Sequence, residues 1–361
     1  MRRRGRSLPT AVLVACLCQL LFALSAPASY DPVGGGKAKL VLDKRFAAFL
    51  RQAGVELAAA GGGSHQGRAY VLPVVGGQVD PTIGKGSIDA EGSLVFRSPR
   101  RKVPLRRIVV KTQRAPLIAK VGGSQLKVAT GSGLAVKRSG FDSSISVRRL
   151  SLTEKAATRL NKKLRPAVPF AAGQVIGKLA ALAEPATVAI LPQGVATVRL
   201  NDGFTAKLDS LFVAANPVFP AEHQGSVFTF PIIPTGVLAP TGGNGTLKTG
   251  GSIEFLQLPQ KGQVLWHESW FDFGGALQSP EVDVEPSPPY GGKAGRIAVA
   301  AMPAGAILTP DPRARTISGE GLALSLRPET AATLNQVFAE GAEVFKAGEP
   351  LGALTFTAKG Q

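Results

Sequence analysis

The chain is written twice. His65-Gln66-Gly67 is followed by Pro73, and His223-Gln224-Gly225 is followed at the same spacing by Pro231. A glycine-rich stretch comes next in both copies: residues 86–96 (GSIDAEGSLVF) and 245–255 (GTLKTGGSIEF). Leu150-Ser151-Leu152, leading to Ala157, Leu160 and Asn161, is answered by Leu324-Ser325-Leu326, leading to Ala331, Leu334 and Asn335. Phe170, Ala172-Gly173, Ile176-Gly177 and Leu179 then pair with Phe345, Ala347-Gly348, Leu351-Gly352 and Leu354. Landmarks recurring in one order imply a tandem duplication, so the fold must be one that about half of this chain can complete with a core of its own.

Local pattern says what that half is made of. Residues 68–75, 107–111, 126–130, 226–233, 253–258 and 297–301 are rich in β-branched and apolar side chains, with Gly and Pro close by on either side. The 43 glycines and 27 prolines fit many tight turns better than long helices. Each copy also carries two short helical patterns. Leu42, Phe46, Phe49 and Leu50 recur at helical spacing near the start of the first, and Leu200, Phe204, Leu208 and Leu211 near the start of the second. Thr153 and Glu154 can open the other helix of copy one, and Pro328 at a first-turn position its counterpart. The expected class is all-β, a β-sandwich or partly open barrel with short helices, in two tandem homologous domains at 38–183 and 195–361. Residues 29–37 are expected as a leader, with Gly34 to Gly36 and Gly61 to Gly63 as flexible glycine runs, and 184–194 as a linker or a shared strand.

The first 28 residues read as an export signal: four arginines, a short apolar run, then Ser25-Ala26-Pro27-Ala28. A retained anchor is the alternative, and Leu13-Val14-Ala15-Cys16 fits a lipobox by residue type although the apolar run continues past it. Both cysteines, Cys16 and Cys18, fall inside this segment, so the exported chain is expected to have no thiol chemistry and no zinc–thiolate site. A secreted or cell-surface location is expected, with no integral span in the mature chain.

Charge is segregated. Residues 97–165 hold 19 Lys and Arg against only Asp142 and Glu154, whereas the chain from Ala189 onward holds 11 basic and 15 acidic residues. A basic first copy beside a mildly acidic second implies contact with an anionic cell-envelope component or an acidic partner through Arg100, Arg101, Lys102, Arg106, Arg107 and Lys111, against the plainer reading of a solvated face. Nucleic acid is a poor partner, because no aromatic residue interleaves with this basic stretch for base stacking.

The helix pattern ending in an aromatic residue, with the glycine-bounded strand pairs at 86–96 and 245–255, resembles the HtaA domain of actinobacterial surface proteins. The resemblance implies a β-rich exported domain, often in tandem, that binds haem in iron acquisition. It also implies a tyrosine in the opening helix as iron ligand and a histidine in the strand pair hydrogen-bonded to it. Those positions hold Phe49 and Glu91 in copy one and Lys207 and Gly250 in copy two. No resident cofactor is therefore expected, with haem on unconventional ligands as the alternative.

Three histidines are the imidazole candidates: His65 and His223, at equivalent places, and His267. Each could hold a metal or haem; a loop histidine bonding a nearby carbonyl is the structural alternative. Trp266, His267, Trp270, Phe271 and Phe273 form the densest aromatic cluster, either a platform for a flat ligand or core packing with one ring exposed. Tyr70 has Phe228 as its equivalent, which points to packing. Tyr30 and Tyr290 carry no pattern. Asp202, Asp209, Glu222, Asp272, Asp283 and Glu285 are scattered and no nucleophile elbow or P-loop occurs, so enzymatic activity is not expected; an extracellular enzyme of unknown type is the weaker alternative.

Overall fold

The computed structural model describes residues 30–361 except 82, 114–116, 260–261 and 286–291; the expected export signal and Tyr290 lie outside the described residues. The first sheet has ten strands: β1 (Asp31–Leu42), β2 (Glu56–Ala60), β3 (Ser64–Gln66), β4 (Ala69–Val79), β5 (Gly86–Ser98), β6 (Arg101–Lys111), β7 (Leu117–Val121), β8 (Ser124–Ser139), β9 (Asp142–Leu152) and β10 (Val175–Pro185). The second has fourteen: β11 (Val188–Leu200), β12 (Val213–Val218), β13 (Glu222–Gln224), β14 (Val227–Pro231), β15 (Val237–Leu238), β16 (Gly245–Lys248), β17 (Ser252–Gln257), β18 (Gln263–Asp272), β19 (Leu277–Glu285), β20 (Gly292–Arg296), β21 (Ala300–Ala301), β22 (Thr309–Asp311), β23 (Thr316–Leu326) and β24 (Pro350–Gly360). Four short helices complete the set: α1 (Lys44–Gln52), α2 (Glu154–Leu164), α3 (Asp202–Ser210) and α4 (Pro328–Phe338).

Both sheets close. In the first, the order β5-β6-β7-β8-β9-β10-β1-β4 returns to β5 through the β4–β5 pairing, with β2 and β3 hanging off β5 and β4. In the second, β18-β16-β15-β11-β24-β23-β21-β19 returns to β18. Of the two expected architectures the barrel is the one realised, and its ring is complete. An eight-stranded ring has an interior just wide enough for side chains to fill. The space enclosed by Ala38, Leu40, Leu72, Ile108 and Leu179 amounts to about 20 Å³, little more than one water could use. Apolar residues take the inward positions and charged ones the outward, the inverse of a barrel that faces lipid. Among the described residues no helix is long and apolar enough to cross a membrane.

The repeated landmarks are the joints of each barrel. Phe46 of α1 packs among Leu42, Leu105, Leu152 and Ile176 from four strands and so plugs one end. Side chains start three of the helices: Asp43 accepts from the Arg45 amide, Thr153 from Ala156 and Asn201 from Gly203. Arg327, before Pro328, starts α4 without such a bond. Asn161 explains its own recurrence. Its side chain accepts from the Phe170 amide at 2.8 Å and donates to the Phe170 carbonyl at 2.9 Å. Asn335 does the same to Phe345 at 2.8 Å in both directions. Each clamp delivers a phenylalanine into an aromatic cluster: Phe46, Phe49, Phe96 and Phe170 in one barrel, Phe204, Phe255 and Phe345 in the other.

Three expectations need correction, and one is settled between its alternatives. Residues 31–37, read as a leader, belong to β1, and Gly34 to Gly36 lie in that strand. Gly36 has a positive φ of 120°, and a Cβ there would sit 2.0 Å from the Leu182 oxygen of β10, so the glycine is a close-approach device rather than slack. Of the two readings of 184–194, strand is the one realised: 184–185 end β10 and 188–194 open β11, with Ala186 and Thr187 between them. Residues 297–301 are not one strand: only Ala300 and Ala301 pair. The stretch 86–96 is continuous strand in copy one, broken into β16 and β17 in copy two.

The two barrels meet near the β8–β9 turn, whose Phe141 is buried within the second core. Arg138, near the end of β8, faces Asp31, and Arg315 adds a second positive charge. Burial outweighs the attraction of Arg138 and the Ala189 amide, while Asp80 adds repulsion; Asp31 is pushed up from 3.8 to about 6. The folded chain therefore holds a proton that the unfolded chain has released, and stability from this group drains away as pH rises from 3.8 to about 6. Asp31→Asn should flatten that dependence: unfolding free energy measured from pH 4 to 7 falls less steeply than in the wild type. Equal slopes would remove Asp31 as the cause.

Candidate functional site

With the barrels filled, recognition is left to their outer surfaces. One surface feature recurs in both copies. Where β5 passes β6, the register slips between Ala90 and Ser93, leaving Glu91 and Gly92 unpaired opposite Arg107. Arg107 adopts a left-handed φ of 48°, as a bulged strand requires of one residue. Gly92 has φ 90°, and a Cβ on it would lie 2.7 Å from the Gly61 oxygen, so only glycine lets the β2–β3 loop come this close. Here the strands part to leave an open groove of about 720 Å³, lined by Asp89, Glu91, Arg106, Arg107 and Lys120 over Ile108 and Ile118.

The second barrel has the same joint. Ser93 faces Arg106 across the pairing, and Ser252 faces His267. Arg107 at φ 48° corresponds to Glu268 at φ 40°, and Gly92 to Gly251, φ 86°, which abuts Ala221. The basic stretch and the aromatic cluster, which sequence reading treats as two candidate sites, therefore occupy one place on two barrels. Lys102, Arg106, Arg107 and Lys111 are replaced in copy two by Gln263, His267, Glu268 and Asp272.

The individual candidates separate accordingly. Arg100 lies in the β5–β6 turn, and Arg101, Lys102, Arg106, Arg107 and Lys111 all lie exposed on β6. None of the six forms an ion pair among the described residues. Trp266 is core rather than platform, 3% exposed with its ring 4.7 Å from that of Phe255. Trp270 is half-buried with Lys248 and Arg296 each 3.9 Å from its ring centre, so cations rather than a flat ligand cover it. His267 is half-buried, with Nδ1 3.0 Å from the Ser252 hydroxyl.

His65 and His223 sit on the short exposed strands β3 and β13. His65 stacks on Tyr70, with centroids 5.5 Å apart and planes 16° from parallel, and His223 on Phe228 at 5.5 Å and 20°. The expected bond to a carbonyl is replaced by ring stacking on the residue paired across the hairpin. The Tyr70 hydroxyl donates to the Leu57 carbonyl at 2.9 Å, and burial, with Glu56 nearby, raises its pKa.

The positions that the HtaA resemblance assigns to iron do not fit haem. Phe49 offers no donor and packs against Phe46 and Phe170. Lys207 donates to Glu349, which spends its amine on an ion pair. Glu91 is exposed on the bulge, and Gly250 has no side chain. Neither barrel supplies a tyrosine and histidine at these places.

No family model and no curated protein matches the chain. Among solved structures it is similar to the C-terminal domain of HtaA from Corynebacterium glutamicum, at 19% identity and TM-score 0.35 over 43% of this chain and 98% of that one. The N-terminal domain of HtaA from the same organism matches at 15% and 0.32, over 46% and 97%. The heme binding protein HtaB, also from Corynebacterium glutamicum, matches at 13% and 0.33, over 48% and 95%.

The two tryptophans should behave differently. Trp266→Ala should cost about 3–5 kcal/mol of stability, as for a large core ring, and Trp270→Ala about 1–2 kcal/mol for two surface cation contacts. Denaturant titration of both variants measures this; similar losses would mean that Trp266 is not a core residue.

Proposed function

We propose that the chain is an exported, non-enzymatic binding protein whose first barrel holds an anionic polymer of the cell envelope. One observation carries the reading. The bulged joint is built alike in both barrels, yet only the first arms it with exposed, unpaired cations at Lys102, Arg106, Arg107 and Lys111. Because the second barrel folds with Gln263, His267, Glu268 and Asp272 there, these charges are dispensable for folding. Like charges crowded on one strand outnumber the carboxylates Asp89 and Glu91 on the groove lining and repel one another, and an anionic partner relieves that cost. A single lysine or arginine on water is ordinary; a strand of them with apolar groove walls beneath is a contact surface.

A column of immobilised poly-glutamate tests it with a defined polyanion. The full chain should be retained at low salt and released as ionic strength approaches about 1 M, where charges are screened within roughly 3 Å. Arg101→Gln, Lys102→Gln, Arg106→Gln and Arg107→Gln together should lower the eluting salt markedly. Retention that ignores salt, or the fourfold variant eluting with the wild type, overturns the reading.

The haem alternative has its own measurement. Haem titrated into the full chain should give no stoichiometric Soret change, and removing His65, His223 and His267 should make no difference. A saturable Soret band lost in one histidine variant would assign that histidine as an unconventional ligand and displace the envelope reading.

A further inference from the structure

A second surface hollow beside α1 distinguishes the barrels. In copy one a cleft of about 770 Å³ opens between α1, β2 and the β3–β4 hairpin. Three guanidinium groups line it from three different elements: Arg51 in the last turn of α1, Arg68 in the hairpin turn and Arg97 on β5. The stacked rings of His65 and Tyr70 form one wall, over buried Leu50 and Leu57. Arg68 is held in place by donating from Nη1 to the Leu42 carbonyl at 2.8 Å, which leaves its remaining N–H groups for the cleft. Glu56 is the one carboxylate on the lining and stands opposite Arg97 across the β2–β5 pairing. Even so, none of the three arginines forms an ion pair among the described residues.

The duplication supplies the control. The equivalent cleft in copy two, between α3, β12 and β14, shrinks to about 290 Å³. The equivalents of Arg51, Arg68 and Arg97 are Asp209, Ser226 and Leu256, and that of Glu56 is Ala214. The backbone is kept: the Leu42 amide donates to the Arg68 carbonyl and the Leu200 amide to that of Ser226, both at 2.9 Å. The histidine-on-ring stack is kept as well. What copy one adds is cavity and positive charge together, while the fold stands without either.

From this convergence we infer that the Arg51–Arg68–Arg97 cleft is a separate binding site for a small phosphate-bearing ligand, a pyrophosphate or phosphate monoester. Guanidinium forks match tetrahedral oxyanions with paired N–H donors, and three of them balance a doubly charged group even with Glu56 beside them. The apolar floor and the exposed imidazole face suit the uncharged remainder of a phosphorylated small molecule. Arg97 pairs with Lys102 across the β5–β6 ladder, so the cleft borders one end of the β6 stretch, while Arg106 and Arg107 lie farther along the strand at the bulge.

Isothermal titration of the full chain with inorganic pyrophosphate in 0.15 M salt tests the inference, with citrate as the phosphate-free arm. Pyrophosphate should bind saturably at one site per chain, and citrate at least tenfold more weakly. Arg51→Gln with Arg97→Gln should weaken pyrophosphate by about tenfold or more, since both side chains lack partners whose loss would unfold the chain. Arg68→Lys keeps charge but breaks the anchored fork, and should weaken it too. Asp209→Arg, Ser226→Arg and Leu256→Arg together should create a second site. Arg106→Gln with Arg107→Gln, which leaves Lys102 beside Arg97, should bind pyrophosphate as the wild type does, so failure of the polymer reading and failure of this one are told apart. No saturable binding by the wild type, undiminished binding by the Arg51/Arg97 variant, or citrate binding without pyrophosphate binding overturns the assignment.

Discussion

Ring closure is the constraint on which everything else rests. Eight antiparallel strands joined edge to edge leave no free hydrogen-bonding rim within the ring, and the enclosed space is consumed by Leu, Ile, Val and Ala side chains. The space left inside the first barrel is about 20 Å³. Closure also frees the exterior, because outward positions on a closed ring contribute little to packing and can change sign without loss of fold. Lys111 and Asp272 occupy the same strand position on the two barrels, as do Arg107 and Glu268.

This freedom explains how one ancestral unit diverged. The interior and its joints were preserved: the asparagine clamps at Asn161 and Asn335, the plugging phenylalanines at Phe46 and Phe204, and the left-handed glycines at Gly92 and Gly251. Each of these has a geometric reason that no other common residue meets as well. The exterior was rewritten, with cations in the first copy and mixed polar groups in the second. At equivalent helix positions Phe49 joins an aromatic cluster and Lys207 an ion pair.

Much of the fold was legible in the residues because duplication prints each local signal twice. The four helices fall where Thr153, Pro328 and the spacing around Phe46 and Phe204 place them, and the β class follows from alternation and turns. Closure was not legible: it depends on β4 meeting β5 after a register slip, a pairing between neighbours that no period in the sequence marks. Strand ends were misjudged where glycine serves close approach instead of turning, as at Gly36. The site was less readable still. Arg51, Arg68 and Arg97 are far apart in sequence and become neighbours only through the hairpin and helix, although setting Arg51 against Asp209 across the copies would have exposed the contrast. Likewise, Trp266 and Trp270 look alike on paper, but the bulge at Glu268 comes between them, leaving one ring in the core and the other half-buried under cations.

Phe141 gives the arrangement a last consequence. Its ring, carried on a turn of the first barrel, is 4% exposed and counts among the core residues of the second, while Gly140 beside it abuts Pro312. The halves are thus spliced by a borrowed residue rather than strung like beads. Dividing the chain after Pro185 would strip a greasy side chain bare on one fragment and open a hole in the core of the other.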